Sequence, residues 1–432
     1  MSAKQRDKKK WLFYVSVIWL IINIFPGVCF SQPAAPPIVF GMPAPLGETA
    51  SIAGWKAAQM AVEELNAKGG VSVGGVKRPI EIYSIDTREH EPGIPIHDAL
   101  MAIEKLILEK KPHAIAAGPM RSEVLLAALD AIVYKYKLPY MVTISMTPVL
   151  QTKITENYDK YKYVFRINPN SIYVVKLLSE VMAFLGKEFG FKKAYLICQD
   201  VLWAKATING VEKEMKATGW EIVGKDIYPT GASEFSASLT KVKETKAQVI
   251  VPVFDMPPAA VLLKQARRMK VPAIIAGGIE PAAHSDAWKV FGGEVEGMVN
   301  TIFTAGHIPV KALPKSVEFY EKYGKKWGKT EQEKFFGQTG AATAYDSVYV
   351  LVDAIERAGT LDGEALVKAL EKTDMMGSIG RIKFGKDHQV IYGFDPKESA
   401  IGVAFQWVKG ERVVVFPAQV SEGKIILPPY MK

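Results

Sequence analysis

AIAAGPMRSEVLLAALDAI, residues 114–132, is the stretch that decides how this chain folds. An apolar run stops at Gly118-Pro119. Met120, Arg121, Ser122 and Glu123 follow, and then apolar residues recur at helical spacing. The segment reads as a strand handing over to a helix. Such a handover exposes free backbone N–H groups and the positive end of a helix dipole, which suits an anion. A second reading makes Ser122 the cap of the helix, with Glu123 in its favourable first turn. The segment alone leaves both readings open.

The same handover recurs on either side. IVFGM (38–42), IEIYSID (80–86), HAIAAG (113–118) and YMVTIS (140–145) read as strands. Between them GWKAAQMAVEELNAKGG reads as a helix stopped by Gly69-Gly70, and IHDALMAIEKLILEKK as a helix with lysines in its last turn. Residues 121–137 make a third helix, halted before Pro139. The alternation then restarts. KAYLICQD (193–200), WEIVGKDIYP, AQVIVPVF and PAIIAGG read as strands. Residues 204–218, SASLTKVKETK and PAAVLLKQARRMK read as helices between them. Residues 315–327 and 338–358 return to helical patterns, and AFQWVKGERVVVFP followed by KIILPP reads as a hairpin with a Lys-Gly turn. Strands alternating with helices imply parallel sheets covered on both faces. Two such blocks, with YVFRINPN (163–170) between them, imply two α/β lobes. Ligands of open α/β sheets bind at the carboxyl ends of the strands. GPMRSE, TISMTP, CQDVLWA, VFDMPP and GGIEP all begin at such ends and outline a cleft between the lobes.

The chain has 432 residues, 49% hydrophobic and 23% charged, which is globular composition with length for two domains. Its formal charge is +9. Residues 1–31 carry Lys4, Arg6, Lys8, Lys9 and Lys10 against Asp7, leaving +5 for the rest. A modest excess without a basic, aromatic-studded run does not indicate nucleic acid. MSAKQRDKKK and the apolar WLFYVSVIWLIINIFPGVCF, with Ser31 before QPAAPP, read as a signal peptide cut near Ser31. The apolar length also permits an uncleaved anchor. Cys29 and Cys198 are the only cysteines; cleavage leaves Cys198 alone, in AYLIC, where a buried inert thiol is expected.

Taken in order, GMPAPLGETASIAGWKAAQMAVEELNAKGG, IEIYSIDTREHEP, IAAGPMRSEVLLA, GASEFSASLTKVKETKAQVIV, LLKQARRM and FQWVKGERVVVFP resemble one family. It is the type I periplasmic solute-binding proteins of ABC transporters, the leucine/isoleucine/valine-binding group. The resemblance covers residues 38–432. It implies two Rossmann-like lobes joined by three crossing segments, closing by hinge motion on a solute in the cleft between them. The lobes would be 38–163 plus 306–378 and 168–302 plus 385–432, with crossings near VFRINP, TIFTAG and GRIKFG. Such a protein is exported to the periplasm and delivers an amino acid or a small carboxylate, aromatic ones included, to a membrane permease with ATPase subunits. A monomer is expected, without cofactor or metal.

The resemblance also implies site residues. Ser122 matches the serine that holds the solute carboxylate. Arg121 stands where many relatives have a small residue; its guanidinium either pairs with a carboxylate or points to solvent. Relatives often carry Ser-x-x-Ala-Thr-x-Pro where this chain has the shorter TISMTPVL. Ser145 and Thr147 are the candidates there, unless both only serve turn geometry. Trp203 matches the aromatic that lies over the solute; otherwise it packs in the core. Asp255 sits where relatives line the pocket; otherwise it caps the turn before Pro257-Pro258. Glu280 matches the acid that pairs with a solute ammonium; otherwise it is a surface residue.

Enzyme motifs are missing: no phosphate loop, G-x-G-x-x-G after a strand, H-E-x-x-H, G-x-S-x-G or paired Cys/His ligands occur. The six histidines are scattered and read as surface or cap residues. A membrane-anchored sensor with the same ligand-binding fold is the competing reading, and an uncleaved helix at 11–30 would favour it.

Overall fold

The computed structural model describes residues 35–91, 93–328, 340–428 and 431. The expected leader at 1–31 lies outside them. Among the described residues no helix is long and apolar enough to cross a membrane.

The described residues from 37 onward form one compact unit built on two large sheets. The first has the order Ile80–Asp86, Ile38–Ala44, Ala114–Ile115, Tyr140–Val142, Val164–Arg166, and every pair in it is parallel. Its core takes buried residues from Ile38 to Ile167, rejoined by Phe319 to Val390 and Ala400. Helix Thr49–Ala67 turns Ala53, Ala57, Ala61 and Leu65 inward at a spacing of four, and packs against helix Ala341–Ala358. Small residues set that approach: a Cβ at Gly54 would lie 3.3 Å from the Gly340 carbonyl oxygen.

The second sheet has the order Glu411–Phe416, Val403–Val408, Val299–Ile302, Ile274–Ile279, Val249–Phe254, Lys193–Gln199, Glu221–Tyr228. Five of its strands are parallel; the tail hairpin joins antiparallel at Val299–Ile302, so this sheet is mixed rather than parallel throughout. Lys409 and Gly410 make the two-residue turn with φ of 51° and 88°, both in the left-handed region a tight hairpin requires. KIILPP, expected to belong with the hairpin, forms no strand over its described residues 424–428. Buried Gln406 instead bonds both the N–H and the carbonyl of Ile426 at 2.8 Å. The cores of this half run from Tyr173 to Leu313, resume at Ile401 and take in Met146 from the loop after Tyr140–Val142. The two halves are lobe I and lobe II below.

The segments between the lobes lie side by side. The Arg166 N–H donates to the His388 carbonyl and the Val390 N–H to that of Arg166, each at 2.9 Å. Gln389 Nε2 donates to the Asn168 carbonyl at 2.8 Å, and Ala305 N–H to that of Ile401 at 2.7 Å. Residues 380–385, where a crossing was expected, include the strand Gly380–Lys383 of a small four-stranded sheet, and Phe384 packs in the lobe I core.

Histidines depart from the surface reading. His307 and His388 are buried; His388 bonds the Val164 carbonyl and Glu371, both at 3.1 Å. Neither ring nitrogen of His307 makes a hydrogen bond of normal geometry among the described residues, and only the Thr304 backbone approaches to favour its charged form. Burial, helped by nearby Arg412, pushes its pKa down to about 3. The unfolded chain therefore takes up this proton first, and stability falls as the pH drops below about 6.5. Changing His307 to leucine is expected to flatten the loss of urea stability between pH 6.5 and 4; an unchanged acid slope would show the ring is not responsible. Cys198 is buried as expected, and burial pushes its thiol up to about 11.

Candidate functional site

Parallel strands present their carboxyl ends on one edge of each sheet, and the site is built from the loops that leave those ends. On lobe I, Glu48 follows Ile38–Ala44, Glu89 and His90 follow Ile80–Asp86, and Met120 to Ser122 follow Ala114–Ile115. Ile144 to Met146 follow Tyr140–Val142. On lobe II, Val201 to Trp203 follow Lys193–Gln199, Asp255 follows Val249–Phe254, Glu280 follows Ile274–Ile279 and Phe303 follows Val299–Ile302. These residues line one cavity of about 420 Å³, within the size range of small-molecule sites.

The 116–121 loop reaches the cavity because Gly118 passes close to the first strand. Its φ is +126°, and a Cβ there would lie 2.1 Å from the Pro43 carbonyl oxygen. Only glycine allows that path. The helix then starts at Ser122, with Arg121 in the capping position at φ −77°, ψ 135°. Ser122 is thus the first helical residue and not the cap. Its hydroxyl lies 3.2 Å from that of Ser145, both buried. The helix expected over 121–137 contains a π turn at Leu129–Val133 before ending at Tyr136.

Arg121 points into the cleft. Its Nη1 meets Asp255 Oδ2 at 3.3 Å, a contact between lobe I and lobe II, with both side chains only about one-fifth exposed (22% and 21%). The same oxygen accepts the indole N–H of Trp203 at 3.0 Å. Asp255 is held from behind: its N–H and that of Met256 donate to Gln199 Oε1 at 3.1 Å. Asp255 therefore does not cap the Pro257-Pro258 turn, and half-buried Trp203 both packs against the lobe II core and lines the cavity. Trp203 meets Phe303 edge to face at 6.1 Å. Glu280 also lines the cavity, as the first residue of the short helix Glu280–Ala283.

The family model for periplasmic binding proteins matches residues 37–395. The chain belongs to that family. It is 24% identical over 417 residues to Leu/Ile/Val-binding protein homolog 7 of Brucella abortus (strain 2308), spanning 92% of this chain and 96% of the relative. Two solved structures superpose along nearly their full length. One is the branched-chain amino acid transporter substrate-binding protein LivJ of Streptococcus pneumoniae in complex with isoleucine, with TM-score 0.68 and 22% identity, covering 88% of this chain and 100% of that one. The other is an R. palustris solute-binding protein in complex with benzoate, with TM-score 0.69 and 15% identity, covering 91% and 99%. These likenesses show the two-lobed α/β fold.

In this periplasmic binding protein the lobe I wall holds residues that sequence reasoning passed over. Glu89 Oε1 accepts the Met120 N–H at 2.6 Å, and Oε2 is shut off from solvent without a partner among the described residues. Burial pushes the Glu89 carboxyl up to about 7 against the pull of the Met120 and Arg121 N–H groups and of the Arg121 charge. Glu48 caps helix Thr49–Ala67 by accepting the Ser51 N–H at 2.9 Å, and its carboxyl is raised by burial and by Asp255. Both stand in the strand-end loops APLGE and DTREHE, so the strand-end rule contains the signal.

Thr147 is not among the cavity-lining residues. Its hydroxyl accepts the Val149 N–H at 3.3 Å, which is turn geometry, and its carbonyl accepts from Arg166 Nη1 at 2.7 Å. Arg166 is fully buried in the connection between the lobes. It also donates to the Ser145 carbonyl at 3.3 Å, to Gln389 Oε1 at 2.7 Å and to Gln151 Oε1. A cation in the connection between the lobes thus sets the backbone of the loop that carries Ser145. Among the described residues no group of His, Cys, Asp and Glu side chains is placed to hold a metal ion.

Proposed function

We propose that this chain is the exported solute-binding component of an ABC importer. It takes an amino acid or a small carboxylate into the cleft and presents it, as a monomer outside the cytoplasm, to a membrane permease with its ATPase subunits. The observation that carries this reading is the Arg121–Asp255 ion pair. It joins the two lobes across the cavity beside the Ser122–Ser145 hydroxyl pair. A solute carrying both charges can take over both partners: its anion faces Arg121 and Ser122, its ammonium faces Asp255 and Glu280, and its body lies against Trp203. The division into lobes at 163–168 belongs to the same proposal, while the second boundary falls after Leu313 rather than at 306, because Ile308, Val310 and Leu313 pack in the lobe II core.

Ser122→Ala tests it. The serine is not a cap, so the change loses only the bond to Ser145, about 1 kcal/mol of stability. Solute affinity is expected to fall about tenfold, as for one lost hydrogen bond to a charged group. Calorimetric titration with solutes found by thermal-shift screening checks this. Wild-type affinity in the variant would remove Ser122 from the site.

A further inference from the structure

Resting on the reading of the cleft as the solute site, the cavity also says which charge its solute carries. Two features make the 116–123 segment attractive to an anion: the N–H groups of its loop and the Arg121 guanidinium. The chain's own carboxylates already meet both. Glu89 takes the Met120 N–H at 2.6 Å, and Asp255 takes Arg121 at 3.3 Å. Glu48 and Glu123 line the same cavity. Against these four carboxylates and Glu280, which lines the cavity too, stand Arg121 and His90, whose Nδ1 is also buried without a partner among the described residues. A bare carboxylate entering here would meet like charge at close range in a partly desolvated site.

We infer that the cleft selects small organic cations, either primary amines or amino acids with a second basic group, and that Glu89 reads their ammonium. Glu89 suits that role by geometry. Its Oε1 is pinned by the Met120 N–H, which leaves buried Oε2 without a hydrogen-bond partner among the described residues, in a side chain that lines the cavity. Such buried acceptors are rare because an unmade bond costs free energy, and a ligand's N–H satisfies it. Met120, Trp203 and Phe303 supply apolar and aromatic surface for the carbon chain, and the indole face adds attraction for a cation. The charge state agrees. Arg121 and Glu123 face Glu89 from the helix end and buried Tyr140 from its strand, while neighbouring His90 shares the cavity wall. Burial outweighs Arg121 and leaves the carboxyl partly protonated near pH 7. An arriving ammonium favours the carboxylate, so binding releases a proton.

The test uses the purified protein, unfolded and refolded to remove bound solute, and calorimetric titration at pH 7. The probes are 4-methylpentanoate, leucine, 3-methylbutylamine, lysine and 1,5-diaminopentane, which run from anion through zwitterion to dication. At least one cationic probe is expected to bind ten times or more tightly than leucine, with no binding of 4-methylpentanoate. Titration in two buffers of different ionisation enthalpy is expected to show proton release. E89Q is expected to abolish that release and weaken the cation at least tenfold, while circular dichroism and melting show the variant folded. Tightest binding by leucine or 4-methylpentanoate, weakened by Ser122→Ala, would overturn the charge inference and leave the solute-binding reading standing. Unchanged cation affinity in E89Q would remove Glu89 as the reader. No binding by any cationic probe would overturn the inference as well.

Discussion

Replacing Arg166 by leucine is expected to cost about 3–5 kcal/mol of folding stability. The guanidinium is fully buried and donates to two main-chain carbonyls, Ser145 and Thr147, and to two side-chain amides, Gln151 and Gln389. No carboxylate pairs with it among the described residues, so its charge is spread over neutral oxygens. Burial lowers its pKa to about 9, which keeps it charged at neutral pH. Leucine is similar in apolar bulk but supplies no donor, so the Ser145 and Thr147 carbonyls and Gln151 Oε1 would each lose Arg166, and Gln389 Oε1 would keep only the longer bond from Gln151 Nε2. Urea unfolding followed by circular dichroism measures the loss, and a cost below about 1 kcal/mol would show that the network is dispensable. Lysine at this position keeps the charge without the planar fork and is expected to recover only part of the loss. Because Arg166 holds the carbonyl of Ser145, solute affinity should fall in the lysine variant even where the fold survives.

Trp203→Ala is expected to lower solute affinity about a hundredfold, which corresponds to roughly 2.7 kcal/mol and is the scale of an aromatic hot spot. Two contributions add. The ring offers its face and meets Phe303 edge to face at 6.1 Å. Its N–H fixes Asp255 Oδ2 at 3.0 Å, the same oxygen that receives Arg121. Trp203→Phe separates the two: it keeps an apolar ring and loses the N–H, so it should lie between wild type and alanine. Calorimetric titration of all three proteins gives the comparison. If phenylalanine and tryptophan bind alike, the hydrogen bond to Asp255 plays no part in recognition. If alanine binds like wild type, Trp203 lies outside the site.

Much of the fold is legible in the residues, and the misses have physical causes. Alternating apolar runs and amphipathic stretches locate the strands and helices of both sheets because burial on two faces leaves a periodic imprint. The ends are read less well. HAIAAG pairs only at Ala114–Ile115, because Gly118 turns the chain past Pro43. KIILPP has the apolar content of a strand, yet its backbone is bonded by the Gln406 side chain, and a side-chain partner leaves no period. The helix after Ser122 holds a π turn that spacing does not announce. In the site, strand-end position locates Arg121, Ser122, Ser145, Trp203, Asp255 and Glu280 in the cavity wall. What sequence does not show is who pairs with whom. Arg121 and Asp255 are 134 residues apart and meet only because two lobes face each other. Glu89 reads as a polar loop residue until the fold buries it under the Met120 N–H. Thr147 stands two residues from Ser145 and turns away, because the carbonyls there are tied to Arg166.

The central claim is that a solute sits between the lobes, at the Arg121–Asp255 pair. A crystal structure of the solute-saturated protein tests it most directly. The expected result is density for a nitrogen-bearing solute in the 420 Å³ cavity, in contact with Trp203, Asp255 and Ser122. The ammonium that is not taken by Asp255 and Glu280 should lie within hydrogen-bond reach of Glu89. A saturated protein with its solute bound elsewhere, and the Arg121–Asp255 cleft free of it, would contradict the assignment of this site.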